Sequence, residues 1–184
     1  MFPTRCNACP SSSAREMQTV ALGNNLMRAL PIGKNMYKHI LLPTDGSKLS
    51  DKAVTEAIEV ARVLGAKITA LHVVGAYHPV LPDEGLIVPE ITVLKKRFEE
   101  EEAARARKIL GNVKAAAQRA GVACDLVVAT SDAPYEMIIG HAKKSNCDVI
   151  IMASHGRRGL RGILLGSETQ KVLTHSRIPV MVWR

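Results

Sequence analysis

The chain has 184 residues, of which 47% are hydrophobic and 23% charged, which is typical of a globular domain and excludes wholesale disorder, collagen and a long coiled coil. Aromatic residues make up only 3%, which predicts an aliphatic core and argues against the stacking platforms that bind single-stranded nucleic acid. The net charge of +8 is compatible with a nucleic-acid, acidic-lipid or phosphate partner, and we favour a basic surface that binds no nucleic acid.

Residues 1–35 differ from the rest of the chain, because they hold Pro3 and Pro10, a run of three serines and no hydrophobic period. We predict a poorly ordered N-terminal extension, or a mis-assigned start, since the chain from Met36 reads as a natural beginning. A transit peptide is a further alternative for this basic segment. Cys6 and Cys9 have CxxC spacing, but one such pair supplies only half of a structural zinc site, so no metal is predicted.

From residue 36 to 184, apolar runs of strand length alternate with segments of helical period. The predicted strands are 39–42, 67–74, 122–129, 148–153 and 178–183. The predicted helices are 50–64, 90–120, 132–144 and 162–175. Ser47 or Ser50 is the candidate cap of the first helix and Asp132 that of the third, while Gly65 and Gly121 should end the first two.

This alternation of strands and helices predicts a single α/β domain over residues 36–184. Strands that read as continuous apolar runs are buried on both faces, and right-handed crossovers then place helices on both sides of the sheet. We therefore predict a doubly wound, mainly parallel sheet of five strands. In such sheets a ligand binds outside the carboxyl ends of the strands, where the winding reverses.

Two of the predicted strands end in residues suited to a ligand. The first is followed by Pro43-Thr44-Asp45-Gly46-Ser47, and the fourth by a segment from Ala153 to Thr169 that is rich in glycine and arginine. Glycines let main-chain amides approach an anion, and amides at a helix start favour phosphate. The second segment is therefore either a phosphate-binding loop or a flexible basic loop, and composition alone weighs the two equally.

Residues 36–184 resemble the universal stress protein family, of the A type. The resemblance lies in the 40–47 segment, in Leu71-His72-Val73-Val74, and in the stretch from Met152 to Val182, which occur in the family's order. It implies the adenine nucleotide alpha-hydrolase-like fold. It also implies a homodimer formed through the last strand, Ile178 to Trp183, which would cover an apolar sheet edge.

The ATP-binding branch of that family carries the motif G-x2-G-x9-G-S/T. Gly156, Gly166 and Ser167 match it, whereas Ala153 stands where the motif has its first glycine. The resemblance therefore implies ATP as the ligand, either alone or with Mg²⁺.

The resemblance further implies roles for residues at both strand ends. Asp45 would accept hydrogen bonds from the ribose hydroxyls, and Glu168 would meet the phosphates through its N–H alone. The implied binding residues are Pro43, Thr44, Asp45, Val73, Met152, Ala153, Gly156, Gly166, Ser167, Glu168 and Thr169. Two alternatives stay open: Asp45 as a mere helix cap, and Arg157, Arg158 and Arg161 facing water rather than the γ-phosphate. His72 is predicted to be a satisfied core histidine.

The function implied is that of a stress-response sensor or regulator that binds ATP with little or no turnover. Paired carboxylates, a Ser–His–Asp arrangement and an activated cysteine do not stand out in the sequence. The alternatives are a dimeric protein-interaction scaffold that does not bind ATP, and a weak ATPase. No apolar run reaches the roughly 20 residues of a bilayer span, so we expect a cytoplasmic protein without a membrane partner.

Overall fold

The structure, a computed structural model, describes residues 37–79, 88–156 and 165–184, with side chains for all of them except 88–90. The strands are β1 (His39–Pro43), β2 (Lys67–Val74), β3 (Cys124–Thr130), β4 (Val149–Ala153) and β5 (Val180–Trp183). The helices are α1 (Lys48–Leu64), α2 (Val88–Arg119), α3 (Pro134–Lys144) and α4 (Ser167–His175). The predictions for residues 1–35 and for Arg157, Arg158 and Arg161 lie outside the described residues.

The five strands form one parallel sheet in the order β3-β2-β1-β4-β5, which confirms the predicted α/β fold. The chain runs outward from β1 to β3 and then returns to add β4 and β5 on the other side. The winding therefore reverses between β1 and β4. The two segments that the sequence singles out thus follow adjacent strands, at the edge where such sheets bind ligands.

Helices cover both faces of the sheet, as predicted. Ile40 and Leu42 pack with α1 and α2 on one face, while Leu41 packs with α3 and α4 on the other. Every residue of β4 is buried, as continuous apolar runs in parallel sheets predict. The edge strands β3 and β5 are only partly buried. Among the described helices, none is both long enough and apolar enough to cross a bilayer.

The residues at the two ends of α1 cap the helix, as the sequence predicts. The Ser47 side chain accepts a hydrogen bond from the Ser50 N–H at 3.2 Å, so Ser47, and not Ser50, is the N-cap. The helix ends at Gly65, whose φ of 67° lies in the left-handed region that favours glycine. Gly121, with a φ of 69°, follows the end of α2 in the same way.

The prediction that Asp132 caps the third helix is wrong. The helix begins at Pro134, and the residue in the cap position, Ala133, makes no side-chain hydrogen bond to it. The Asp132 carboxylate instead accepts hydrogen bonds from the Ala76 N–H at 3.0 Å and from His78 Nε2 at 2.7 Å. The Asp132 carboxylate oxygens are therefore bonded to Ala76 and His78, in the segment after β2, and do not accept from the first N–H groups of the helix.

Other element boundaries also differ from the prediction, and those of α4, β3 and β5 have a local cause. The fourth helix starts at Ser167, because Gly166 is extended with φ −70° and ψ 154°, and the predicted residues 162–164 lie outside the described part. β3 starts at Cys124, since the Val122 N–H still bonds to Ala117 O at the end of α2. β5 starts at Val180, since the Ile178 N–H bonds to Ser176 Oγ in a turn.

Candidate functional site

A cavity of about 1010 Å³ opens at the carboxyl ends of β1, β2 and β4. All eleven binding residues implied by the sequence resemblance line it, from both sides of the point where the winding reverses. The described lining also includes residues that the sequence analysis did not assign to the site, which are Ser50, Leu71, Gly75, Arg105, Ser131, Asp132, Pro134, Ile138, His155, Leu165 and Gln170.

Asp45 faces Gly156 across the cavity. Its Oδ1 accepts a hydrogen bond from the Ser47 N–H at 3.0 Å, which fixes the carboxylate at the start of α1. A Cβ placed on Gly156 would lie 2.5 Å from Asp45 Oδ2, so a side chain there would displace the carboxylate. Asp45 is not the helix cap, since Ser47 fills that position, although its carboxylate does support the turn. The contact gives a physical reason for glycine at position 156.

A hydrogen-bonded scaffold holds the turn after β1 in place. The Thr44 N–H donates to Leu71 O at 2.9 Å, and Thr44 Oγ1 lies 2.8 Å from Ser50 Oγ. His72 Nδ1 lies 2.7 Å from Thr44 O and donates to it, which fixes the carbonyl just before Asp45. His72 is only 1% exposed, as expected of a core histidine, but its Nε2 has no hydrogen-bond partner among the described residues. The prediction of a fully satisfied histidine therefore holds at one ring nitrogen.

The two ends of the loop after β4 are held close together. The Gly166 N–H donates to Ser154 O at 2.8 Å, and the Ser154 N–H donates to Trp183 O at 2.7 Å. A Cβ on Gly166 would lie 3.1 Å from the Cβ of His155, so a larger residue would push the two ends apart. Thr169 Oγ1 donates to Ala153 O at 3.0 Å. These contacts fix the start of α4 beside the end of β4.

The first turn of α4 offers main-chain donors to the cavity. Gln170 is the first residue of this nine-residue helix whose N–H bonds within the turn, to Gly166 O at 2.9 Å. The N–H groups of the preceding three residues have no intrahelical acceptor, and Gly166 supplies no side-chain cap. Together with the helix dipole, such N–H groups favour an anion.

The carboxylate of Glu168 links α4 to α3. Its Oε2 accepts a hydrogen bond from the Tyr135 N–H at 2.9 Å, and its Oε1 pairs with Lys171 Nζ at 2.9 Å. The hydrogen bond from Lys171 to Glu168 raises the pKa of the Lys171 ammonium. Glu168 thus serves the first turn of α3 as a cap supplied by another helix.

Asp132, in the cavity lining, holds the segment after β2 against the end of β3. The hydrogen bonds from His78 and from the Ala76 N–H lower the pKa of the Asp132 carboxyl, because both stabilise its charged form. The position of Asp132 after the parallel strand β3 was a signal available in the sequence, since the carboxyl ends of parallel strands share one edge. Arg105 had no comparable signal, because it reaches the cavity from the middle of α2.

The described cysteines, Cys124 and Cys147, are free thiols. Burial raises the pKa of the Cys147 thiol to about 11, as expected of an unreactive core cysteine. Cys124 is only partly buried, and desolvation raises the pKa of its thiol as well. Among the described residues, no group of three or more His, Cys, Asp or Glu side chains is placed to hold a metal ion.

The chain resembles known proteins in both sequence and fold. Residues 36–184 match the universal stress protein family. Universal stress protein MJ0531 of Methanocaldococcus jannaschii is 35% identical over 151 residues, which cover 82% of this chain and 84% of that protein. The solved structure of MJ0577, also from Methanocaldococcus jannaschii, has a TM-score of 0.65 at 28% identity and covers 80% of this chain and 96% of that one.

A universal stress protein solved in complex with cAMP shares the fold, with a TM-score of 0.57 at 23% identity over 81% of this chain and 98% of that one. The match of the family over residues 36–184 and the 35% identity to MJ0531 settle the classification. The chain belongs to the universal stress protein family.

Proposed function

We propose that the chain binds ATP in the cavity between β1 and β4 and acts as a stress-response sensor or regulator with little or no turnover. One observation carries the proposal: the acceptor Asp45 and the first N–H groups of α4, which have no intrahelical acceptor, line the same cavity. A carboxylate suits ribose hydroxyls and free helix N–H groups suit phosphates, so the two ends of a nucleotide have complementary partners.

The size and lining of the cavity also support a nucleotide. Its volume of about 1010 Å³ lies at the upper end of the roughly 300–1,000 Å³ of small-molecule sites. Leu71, Val73, Met152 and Ile138 supply apolar surface for a base. A protein of this fold holds cAMP. Because the likeness to that protein is one of fold alone, the argument for ATP binding here depends on this chain's own residues.

Slow turnover follows from how the carboxylates of the described lining are used. Asp45 accepts from Ser47, Asp132 from Ala76 and His78, and Glu168 from Tyr135 and Lys171. A carboxylate whose oxygens are engaged with protein donors is poorly placed to accept a proton from an attacking water. Mg²⁺ would be held mainly by the phosphates, as is usual for this ion.

Calorimetric titration with ATP, with and without Mg²⁺, tests the proposal. The wild type should bind one ATP per chain, Gly156→Trp should not bind it, and Gly140→Ala should bind it normally. Gly140 is the matched control, because a Cβ there meets nothing within 4 Å. Absence of heat and of a thermal shift at millimolar ATP would instead support a scaffold without nucleotide. Release of ADP or AMP during incubation would support the weak ATPase.

We further infer a homodimer formed through β5. This strand is an edge of the described sheet, and its Met181 and Trp183 side chains are 41% and 39% exposed. Pro179 and Trp183 present their carbonyls to β4, so the N–H groups of Val180 and Val182 face outward. Pairing two copies along this edge would satisfy these groups.

Light scattering after gel filtration tests the dimer. The wild type should have twice the chain's mass, whereas Val182→Pro, which removes an outward N–H, should give a folded monomer. A dimer that persists in this variant would contradict pairing through β5.

The free thiols of Cys124 and Cys147 are in keeping with a reducing compartment, and we propose that the protein works in the cytoplasm.

A further inference from the structure

The peptide between Thr44 and Asp45 is held at both of its polar groups. Its carbonyl oxygen, Thr44 O, lies 2.7 Å from Nδ1 of His72 on β2. Its N–H, that of Asp45, donates to Ser50 Oγ in the first turn of α1 at 3.4 Å. A carbonyl oxygen can only accept, so His72 Nδ1 carries the proton. Because a peptide unit is planar, these two contacts fix the plane from which the Asp45 side chain extends.

The register of the sheet places His72 beside this peptide. Leu71 pairs with Pro43, the last residue of β1, so His72 lies level with the start of the turn that carries Asp45. The Thr44 N–H also donates to Leu71 O at 2.9 Å, so β2 holds Thr44 at both of its main-chain polar groups. The position of Asp45 in the cavity therefore depends on β2 as well as on α1.

The surroundings of His72 indicate why a polar side chain stands at this buried position. The residue is 1% exposed, and its Nε2 has no hydrogen-bond partner among the described residues. A buried polar atom left unpaired is costly, and a leucine at this position would leave none. Within the part of the chain that the structure describes, the hydrogen bond to Thr44 O is therefore what an imidazole provides and a hydrocarbon does not.

We propose that His72 is a positioning residue for nucleotide binding, which orients Asp45 towards the ribose hydroxyls through the Thr44 carbonyl. This inference rests on the ATP binding proposed above. Without the donor at Nδ1, the Thr44–Asp45 peptide would lose one of its two holds and could rotate, and the carboxylate would turn with it. His72 is not among the described residues that line the cavity, so it acts through Asp45 and not by contact with the ligand.

Two substitutions separate positioning from packing. His72→Leu keeps a side chain of similar size in the core but removes the donor. His72→Asn loses volume, yet its amide nitrogen is as many bonds from Cα as Nδ1 and can still donate to Thr44 O. If His72 only filled the core, His72→Asn would be the more damaging change for both stability and ATP binding. For a positioning residue, His72→Leu weakens ATP binding more, whichever variant is the less stable in urea.

Calorimetric titration with ATP and with dideoxy-ATP, which lacks both ribose hydroxyls, measures the effect. His72→Leu should lower the affinity for ATP about tenfold, because the hydrogen bond that orients the carboxylate is lost, and that for dideoxy-ATP less than about twofold. His72→Asn should bind ATP within about threefold of the wild type. His39→Leu is the matched control and should bind ATP normally: His39 is also buried, with Nε2 2.7 Å from Thr69 Oγ1, but it begins β1 at the opposite edge of the sheet.

The other outcomes overturn distinct claims. If His72→Leu binds ATP as the wild type does, or loses affinity equally for ATP and dideoxy-ATP, His72 does not position Asp45 and only this inference fails. If the wild type binds the two nucleotides equally well, the assignment of Asp45 to the ribose fails and this inference with it, while ATP binding stands. If the wild type binds neither, the proposed function fails. Circular dichroism checks the fold of each variant, and His72→Gln, whose amide nitrogen lies one bond further out than Nδ1, replaces His72→Leu if that variant does not fold.

Discussion

Replacing Gly156 by alanine perturbs the cavity at the contact between its two sides. The new Cβ would lie 2.5 Å from Asp45 Oδ2, whereas ordinary van der Waals contact begins at 3.4 Å, so one of the two must move by 3.4 − 2.5 = 0.9 Å. Asp45 Oδ2 is the end of a side chain and can move more easily than the main chain of Gly156, while Oδ1 stays near the Ser47 N–H that holds it at 3.0 Å. The variant therefore displaces the carboxylate that we assign to the ribose.

The loss of affinity can be estimated from the bond at stake. A hydrogen bond to a charged group contributes about 1.5–3 kcal/mol, which corresponds to a loss of ATP affinity of roughly 10- to 150-fold. Gly156 is exposed and lies outside the helices, so the free energy of unfolding should change by less than about 1 kcal/mol.

Calorimetry with ATP and urea unfolding measure the two effects separately. Gly140→Ala is again the control, and it should bind ATP as the wild type does. Wild-type affinity in Gly156→Ala would refute the assignment of Asp45 to the ligand, because the carboxylate would have been moved without consequence. Equal losses of affinity in both variants would show that the effect is not local to the cavity.

Three further predictions concern stability, measured by urea unfolding. Glu168→Ala should lower the free energy of unfolding by about 1 kcal/mol, because the Tyr135 N–H at the start of α3 loses its acceptor; an unchanged value would show that water replaces the cap. Gly111→Ala should raise it by about 0.5–1 kcal/mol, since Gly111 lies inside α2 with nothing within 4 Å of a new Cβ, and a decrease would contradict that open space. The pKa of Cys147, raised by burial from 9.0 to about 11, means that the unfolded chain releases this proton between pH 9 and 11 while the folded chain keeps it. Stability should therefore fall by up to about 3 kcal/mol across that range, and a slope that survives in Cys147→Ala would assign it to other groups.

The parallel sheet and the order of strands and helices along the chain could be predicted from the sequence, because the central strands have a clear hydrophobic pattern. β1 and β4 are continuous apolar runs that the sheet buries on both faces, and the predicted bounds of β2 match those of the structure. The edge strands were less well predicted, since β3 and β5 are half-covered and their ends depend on neighbouring turns. Their boundaries are set by hydrogen bonds such as that from Ile178 to Ser176, which no periodicity encodes.

The residues of the candidate site also differ in how far the sequence could predict them. Asp45 and Gly156 could be found from the sequence because they follow strands whose carboxyl ends must meet. Asp132 was misassigned, because a residue before a proline-started helix has the local pattern of a cap, whereas its partners come from more than fifty residues earlier in the chain. Arg105 was missed because its place at the cavity depends on how α2 packs against the turn at Gly46. Tertiary contacts of this kind leave no trace in local sequence patterns.

A crystal structure determined in the presence of ATP is the most direct test of the central claim. We predict electron density for the ribose beside Asp45 and for the phosphates at the first turn of α4, with Gly156 between them. Density for ATP elsewhere on the protein, or an empty cavity in crystals grown at saturating nucleotide, would contradict the account.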